Sequence, residues 1–166
     1  MRKILAASIA TSLMAAAGGA YAATATTTFG VSATVLSNCT VAATALNFGN
    51  YTPGTGPLAV STPISVRCTR GTPFTVALNG GTTAGGTISQ RLMTNGTDTL
   101  QYNLYTSVAL ATIFGDGTTG ATSVGTGAGL ASAVTVNVFG QLPDNAANQG
   151  VSTGAYTDTI NVTVTY

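Results

Sequence analysis

YTDTINVTVTY, residues 156–166, is the stretch that decides the fold. Ile160, Val162, Val164 and Tyr166 fall on one side of it, and Asn161, Thr163 and Thr165 on the other. A period of two in β-branched residues is the pattern of a strand with one buried face. The same period recurs on working back through the chain. Val134, Val136 and Val138 line up in 131–140. Leu100, Tyr102 and Leu104 alternate with Gln101, Asn103 and Tyr105 in 99–107. Phe74, Val76 and Leu78 share a face in 73–79, and Ile64, Val66 and Cys68 share one in 62–69. Between these runs stand turn-forming clusters such as Asn79-Gly80, Asn95-Gly96, Gly115-Asp116-Gly117 and Pro143-Asp144-Asn145. Helix-forming runs of Glu, Lys and Gln are missing. Short alternating strands separated by turns specify an all-β sandwich rather than a βαβ fold. The segment 120–129, rich in Gly, Thr and Ala, reads as a loose loop.

The other end of the chain carries two further signals. Arg2 and Lys3 precede an apolar, Ala-rich run over 4–17, and Ala20-Tyr21-Ala22 is an A-x-A site, so 1–22 reads as a cleaved signal peptide. A retained membrane anchor is the alternative, but the run falls short of the ~20 residues that span a bilayer. Cleavage leaves 23–166 as a single domain. Its first part alternates again: Ala25, Thr27, Phe29, Val31, Ala33 and Val35 share one face of 24–36. Two readings of that segment stand open. It is the first strand of the domain's own sheet, or an extended arm that adds to a neighbour's sheet.

Charge and side-chain inventory exclude whole classes of function. After residue 22 the only charges are Arg67, Arg70 and Arg91 against Asp98, Asp116, Asp144 and Asp158, a net charge of −1. No basic patch exists for nucleic acid. With no His, no Glu and no Lys beyond the signal segment, the usual bases for a Ser or Cys nucleophile are missing, and so is a zinc shell. The chain is therefore read as no enzyme, with no cofactor and no metal. Gly115-Asp-Gly-Thr-Thr-Gly120 matches a dinucleotide-binding string, but the residues after it make a poor helix and no such site is expected. Asp98 and Asp116 in Gly-rich turns read as turn formers rather than calcium ligands. Cys39 and Cys68, an even pair in an exported chain, imply one disulfide.

Several blocks together resemble the spore coat protein U domain family. They are 31–41 (VSATVLSNCTV), 46–51 (LNFGNY), 64–68 (ISVRC), 71–76 (GTPFTV), 100–105 (LQYNLY), 114–117 (FGDG), 138–143 (VFGQLP) and 156–166. The family includes subunits of archaic, Csu-type chaperone–usher pili. The resemblance implies an immunoglobulin-like sandwich that lacks its last strand and is completed by donor-strand complementation. It implies a donor arm within 24–35, with Ala25, Thr27, Phe29, Val31, Ala33 and Val35 as groove-filling side chains and Phe29 and Val31 foremost. It makes the Cys39–Cys68 disulfide a family feature. It assigns the last strand, with Ile160, Val162, Val164 and Tyr166, to pairing with the chaperone. The implied partners are a periplasmic chaperone, an outer-membrane usher and neighbouring copies in a homopolymer. The implied location is a cell-surface fibre of a Gram-negative bacterium, serving adhesion and biofilm formation. An adhesive tip module of the same fold and a non-polymerising coat protein are the alternatives. Phe114, Phe139 and Gln141 depart mildly from the family's pattern.

Overall fold

The computed structural model describes residues 22–166. The signal-peptide expectation therefore lies outside the described residues, apart from Ala22. The chain divides into an N-terminal unit ending at Thr34 and a main unit from Val35 to Tyr166.

The main unit is built of eight strands and one helical turn: β1 (Cys39–Ala43), β2 (Leu58–Cys68), β3 (Pro73–Leu78), β4 (Arg91–Thr94), β5 (Thr99–Tyr105), β6 (Ser123–Thr126), β7 (Val134–Leu142), α1 (Ala146–Gln149) and β8 (Val162–Thr165). They form a five-stranded sheet of order β1-β2-β7-β5-β4 and a three-stranded sheet of order β6-β3-β8, with antiparallel pairing throughout. The inward positions of the two sheets make one core. Ile64, Val66, Phe74, Val76, Leu78, Tyr102, Leu104, Phe114, Val136 and Val138 are buried in it. The alternation in 62–69, 73–79 and 131–140 thus corresponds to real buried faces.

Of the two readings of 24–36, the first strand of the domain's own sheet is not formed; the first ladder starts at Cys39. Three expectations need correction. The final strand is shorter than 156–166, because β3 ends at Leu78 and offers a partner only from Val162 onward. The "loop" 120–129 contains β6, whose Gly125 lies opposite Phe74. A Cβ at Gly125 would collide with the Phe74 ring, so close packing needs the glycine that hid this strand. Asn103, on the supposedly outer face of β5, is buried.

The buried Asn103 belongs to a cluster centred on Arg91, which is wholly inaccessible. The guanidinium donates to the carbonyl of Asn79 (2.7 and 2.9 Å), the carbonyl of Phe114 (2.8 Å) and Oδ1 of Asn103 (2.7 Å). Asn103 in turn donates to the carbonyl of Ser89 (2.7 Å). A buried cation is thus held by oxygen dipoles, which meets the requirement that buried charge be hydrogen-bonded.

Where β1 stops is set by a proline. The β1–β2 register places Thr44 opposite Pro63, and the Thr44 N–H donates to the Pro63 carbonyl at 3.3 Å. Pro63 has no N–H to return, so the ladder cannot close there. The Thr62 hydroxyl takes that place and donates to the Thr44 carbonyl at 2.8 Å. Beyond it, 44–51 leaves the sheet.

Candidate functional site

The departure of 44–51 on one side and the late start of β8 on the other leave an open cleft. Among the described residues β1 pairs only with β2, and β8 only with β3, so both are edge strands, and Ala43 and Val162 at their ends border the cleft. The inner lobe of the cleft holds about 640 Å³ and runs between 43–48 and 156–162. Its floor is Ile64, Leu78, Tyr102, Leu104 and Val138, all core residues. An outer lobe of about 730 Å³ continues between 46–53 and 151–156, over Met93, Leu100 and Leu142. The lobes share Leu46, Asn47, Phe48, Met93 and Tyr156, so they form one groove.

The 44–51 wall is held by side chains, and the 156–162 wall by one backbone bridge and a side-chain clamp. On the 44–51 side, Leu46 and Phe48 are half-buried. They rest over β7 at Gly140, where a Cβ would come within 2.8 Å of Leu46 and 3.0 Å of Phe48. The Phe48 ring meets Tyr102 edge-on at 6.1 Å between centroids, a favourable aromatic geometry. Farther along, Asp144 fastens the loop. It accepts from the Tyr51 hydroxyl (2.5 Å) and from the N–H groups of Gly54 (3.0 Å) and Gly56 (2.7 Å). Burial and the hydrogen bond to Asp144 raise the Tyr51 phenol to about 12. The Tyr51 hydroxyl and the backbone donors bring Asp144 down to about 2.

On the other side, Thr157 exchanges two backbone bonds of 3.0 Å with Thr94. Asp158 then reaches across the groove floor. Its Oδ2 accepts from the Tyr102 hydroxyl at 2.6 Å, and its Oδ1 from the N–H groups of Thr82 (2.9 Å) and Thr83 (3.0 Å). Burial alone would raise the Asp158 carboxyl, but the donors from Tyr102, Thr82 and Thr83 outweigh it and hold it low. Burial and the Asp158 contact push the Tyr102 phenol up.

The structure distributes the expected site residues as follows. Cys39 and Cys68 form a disulfide across the first β1–β2 pair, with Cα atoms 4.1 Å apart. Ile160, Val162 and Val164 are half-buried, and Ile160 and Val162 line the groove. Tyr166 is 57% exposed. In the N-terminal unit, Ala25, Thr27, Phe29, Val31 and Ala33 are exposed, Phe29 by 87%. Val35, which opens the main unit, is exposed as well. Among the described residues, no group of three His, Cys, Asp or Glu side chains is placed to hold a metal ion. Asp116 accepts from the N–H groups of Thr118 (2.9 Å) and Thr119 (2.7 Å), the local bonding of a turn residue. Sequence reasoning missed the 44–51 wall and the Asp158 clamp. Pro63, inside an otherwise regular strand, was the one local signal for the first of them.

Residues 25–163 match the family model described as the Spore Coat Protein U domain. The chain belongs to that family. No curated protein matches it significantly. Among solved structures, this spore coat protein U domain is similar to a chain of the crystal structure of the CsuC–CsuE chaperone–tip adhesion subunit pre-assembly complex from the archaic chaperone–usher Csu pili of Acinetobacter baumannii. The identity is 25% and the TM-score 0.54, over 80% of this chain and 40% of that one. The domain thus spans well under half the length of the chain it matches.

Proposed function

We propose that this chain is a structural, non-enzymatic subunit of a chaperone–usher pilus that polymerises by strand donation. The observation that carries the reading is the open apolar groove between 43–48 and 156–162, two walls that continue the edge strands β1 and β8 past the ends of their ladders. Such an edge over exposed core residues is an aggregation hazard unless another strand covers it. A donor strand meets both needs: its backbone pairs with the edges and its alternate side chains enter the groove.

The segment 24–35 of a second copy has the pattern to fill it. Twelve extended residues reach roughly 40 Å, enough to cover the ten-residue wall 156–165 at about 3.3 Å per residue. Phe29 and Val31 bring the largest apolar groups, each adding about 1.5–3 kcal/mol when fully buried. Ala25, Thr27, Ala33 and Val35 complete the inward face. Before assembly a periplasmic chaperone covers the same groove and pairs along Ile160, Val162, Val164 and Tyr166. Assembly then runs through an outer-membrane usher, with export directed by a signal peptide over 1–22. Head-to-tail donation gives an open filament rather than a closed ring. Such a fibre at the cell surface serves adhesion and biofilm formation.

Deleting 24–31 tests this reading. The truncated chain should still bind its chaperone but yield no fibres by electron microscopy; normal fibres would sink the donor-arm assignment. Because the similar complex contains a tip adhesion subunit, a tip role is the second reading. Counting copies per purified fibre separates them, since a tip protein occurs once at an end.

A further inference from the structure

We propose that Thr69 is a positioning residue that keeps the arm out of the groove of its own chain, so that strand donation runs between copies. The inference rests on the strand-donation reading above and adds what directs it.

The root of the arm, 36–38, continues the line of β1 beside the end of β2. Asn38 lies opposite Thr69, one step beyond the Cys39–Cys68 pair. The Thr69 N–H donates to the Asn38 carbonyl at 2.9 Å. The return bond goes to the side chain: the Asn38 N–H donates to Thr69 Oγ1 at 3.1 Å. That hydroxyl donates on to the Leu36 carbonyl at 3.3 Å. One residue farther out, the Thr72 hydroxyl donates to Ser37 Oγ at 3.4 Å. Three consecutive residues are therefore tied to the β2–β3 turn, next to a covalent cross-link.

For 24–35 to enter its own chain's groove, the chain must reverse just before Cys39 and run back along β1. That reversal takes place within 36–38 and cannot keep these bonds. Tight reversals between antiparallel strands call for residues that accept positive φ, glycine and asparagine above all. The root holds one such residue, Asn38, and both its N–H and its carbonyl are bonded to Thr69. Self-insertion is thus opposed by bonds that hold the root and engage its one turn-forming asparagine. Donation to a second copy leaves the root untouched.

Thr69→Val tests this, since it removes the hydroxyl and keeps the shape. The exported protein, wild type and variant, is unfolded in denaturant with its disulfide intact and refolded. Size-exclusion chromatography gives the monomer-to-polymer ratio, and limited proteolysis with mass spectrometry asks whether 24–35 is protected in the monomer. The ratio should rise at least about fivefold in Thr69→Val, the factor that a single lost hydrogen bond produces in an equilibrium, since the hydroxyl makes two to the root. The extra monomers should carry a protected arm, an outcome that mere destabilisation does not give. Thr69→Ser should restore the wild-type ratio. A Thr69→Val protein with the wild-type ratio, or a Thr69→Ser protein that behaves like Thr69→Val, overturns the proposal. If Thr69→Val does not fold, Thr72→Val decides: a smaller rise in arm-protected monomer supports the root clamp, and no change overturns it. A wild-type protein that yields neither polymers nor arm-protected monomers sinks strand donation itself, and this inference with it.

Discussion

Arg91 shows what a single side chain holds together. Its guanidinium satisfies the carbonyls of Asn79 and Phe114 and the Asn103 amide at the bottom of the sandwich. Arg91→Met fills similar space but leaves the Asn79 and Phe114 carbonyls bare inside the protein, while Asn103 Oδ1 keeps the Leu104 N–H. Two unmet buried acceptors at about 1–3 kcal/mol each point to a loss of roughly 3 kcal/mol or more. Urea unfolding should show the midpoint falling with the slope unchanged. Asp144 and Tyr51 make a second residue-scale case, because their linkage to pH has opposite signs. Asp144 is lowered from 3.8 to about 2, so its contribution is complete above about 4 and fades as pH falls toward 2. Tyr51 is raised from 10.0 to about 12, so its contribution is complete below about 10 and fades as pH rises toward 12. Melting temperature against pH should therefore lose this pair's share at both extremes. Tyr51→Phe should shrink the alkaline fall and leave the share of the raised Tyr102 phenol, and an unchanged alkaline limb in that variant would show that the Tyr51 phenol is not coupled to folding.

Among the elements, β1 is the one whose length shapes the groove. It ends at Ala43 because Pro63 cannot return the hydrogen bond of Thr44. Pro63→Val restores an N–H at a position where a β-branched residue fits a strand. β1 should then extend through Thr44 and draw the 44–48 wall toward the sheet. In that variant, hydrogen exchange should be slow at the amide gained in place of the proline and slower than in the wild type at Thr44. The groove should also take up a peptide of residues 24–35 more weakly. Unchanged exchange at Thr44 would show that another feature ends the strand. β8 is limited from the other direction. Its inward residues continue the alternating pattern up to Tyr156, but β3 turns away at Asn79, so 156–161 hangs on Thr94, Tyr102 and the Asp158 clamp. The period of two was legible in the sequence there; the missing partner was not, because pairing depends on where a distant strand stops. β6 escaped notice for the converse reason. Gly125 lowers strand propensity locally, while the Phe74 ring that requires it lies about fifty residues away in sequence.

At the scale of the whole molecule, the proposed strand donation requires the open groove and the alternating N-terminal segment of a second copy to be complementary. Phe29→Asp tests that complementarity with a single side chain: burying a carboxylate in an apolar groove is costly, so polymers should shorten or vanish while the monomer's unfolding is unchanged. Polymers of wild-type length would show that Phe29 stays outside the groove. The disulfide adds to the same design. Its 29-residue separation lets it contribute on the order of 3–4 kcal/mol by the chain-entropy account, at the first residue pair of the sandwich.

The sequence by itself determined the all-β class, the buried faces of β2, β3 and β7, the pairing of its only two cysteines and the lack of the usual catalytic bases. These follow from local period, composition and counting, which need no knowledge of neighbours. It also carried the family resemblance, in blocks spread along the chain. Only the tertiary structure decided that 24–36 forms no strand of its own sheet, that β1 ends at Pro63, that Arg91 and Asn103 are interior, and that Thr69 is hydrogen-bonded to Leu36 and Asn38. Each of these depends on which residues meet across long stretches of sequence. A hydrogen bond or a close contact is made in space, and local periodicity carries no record of it.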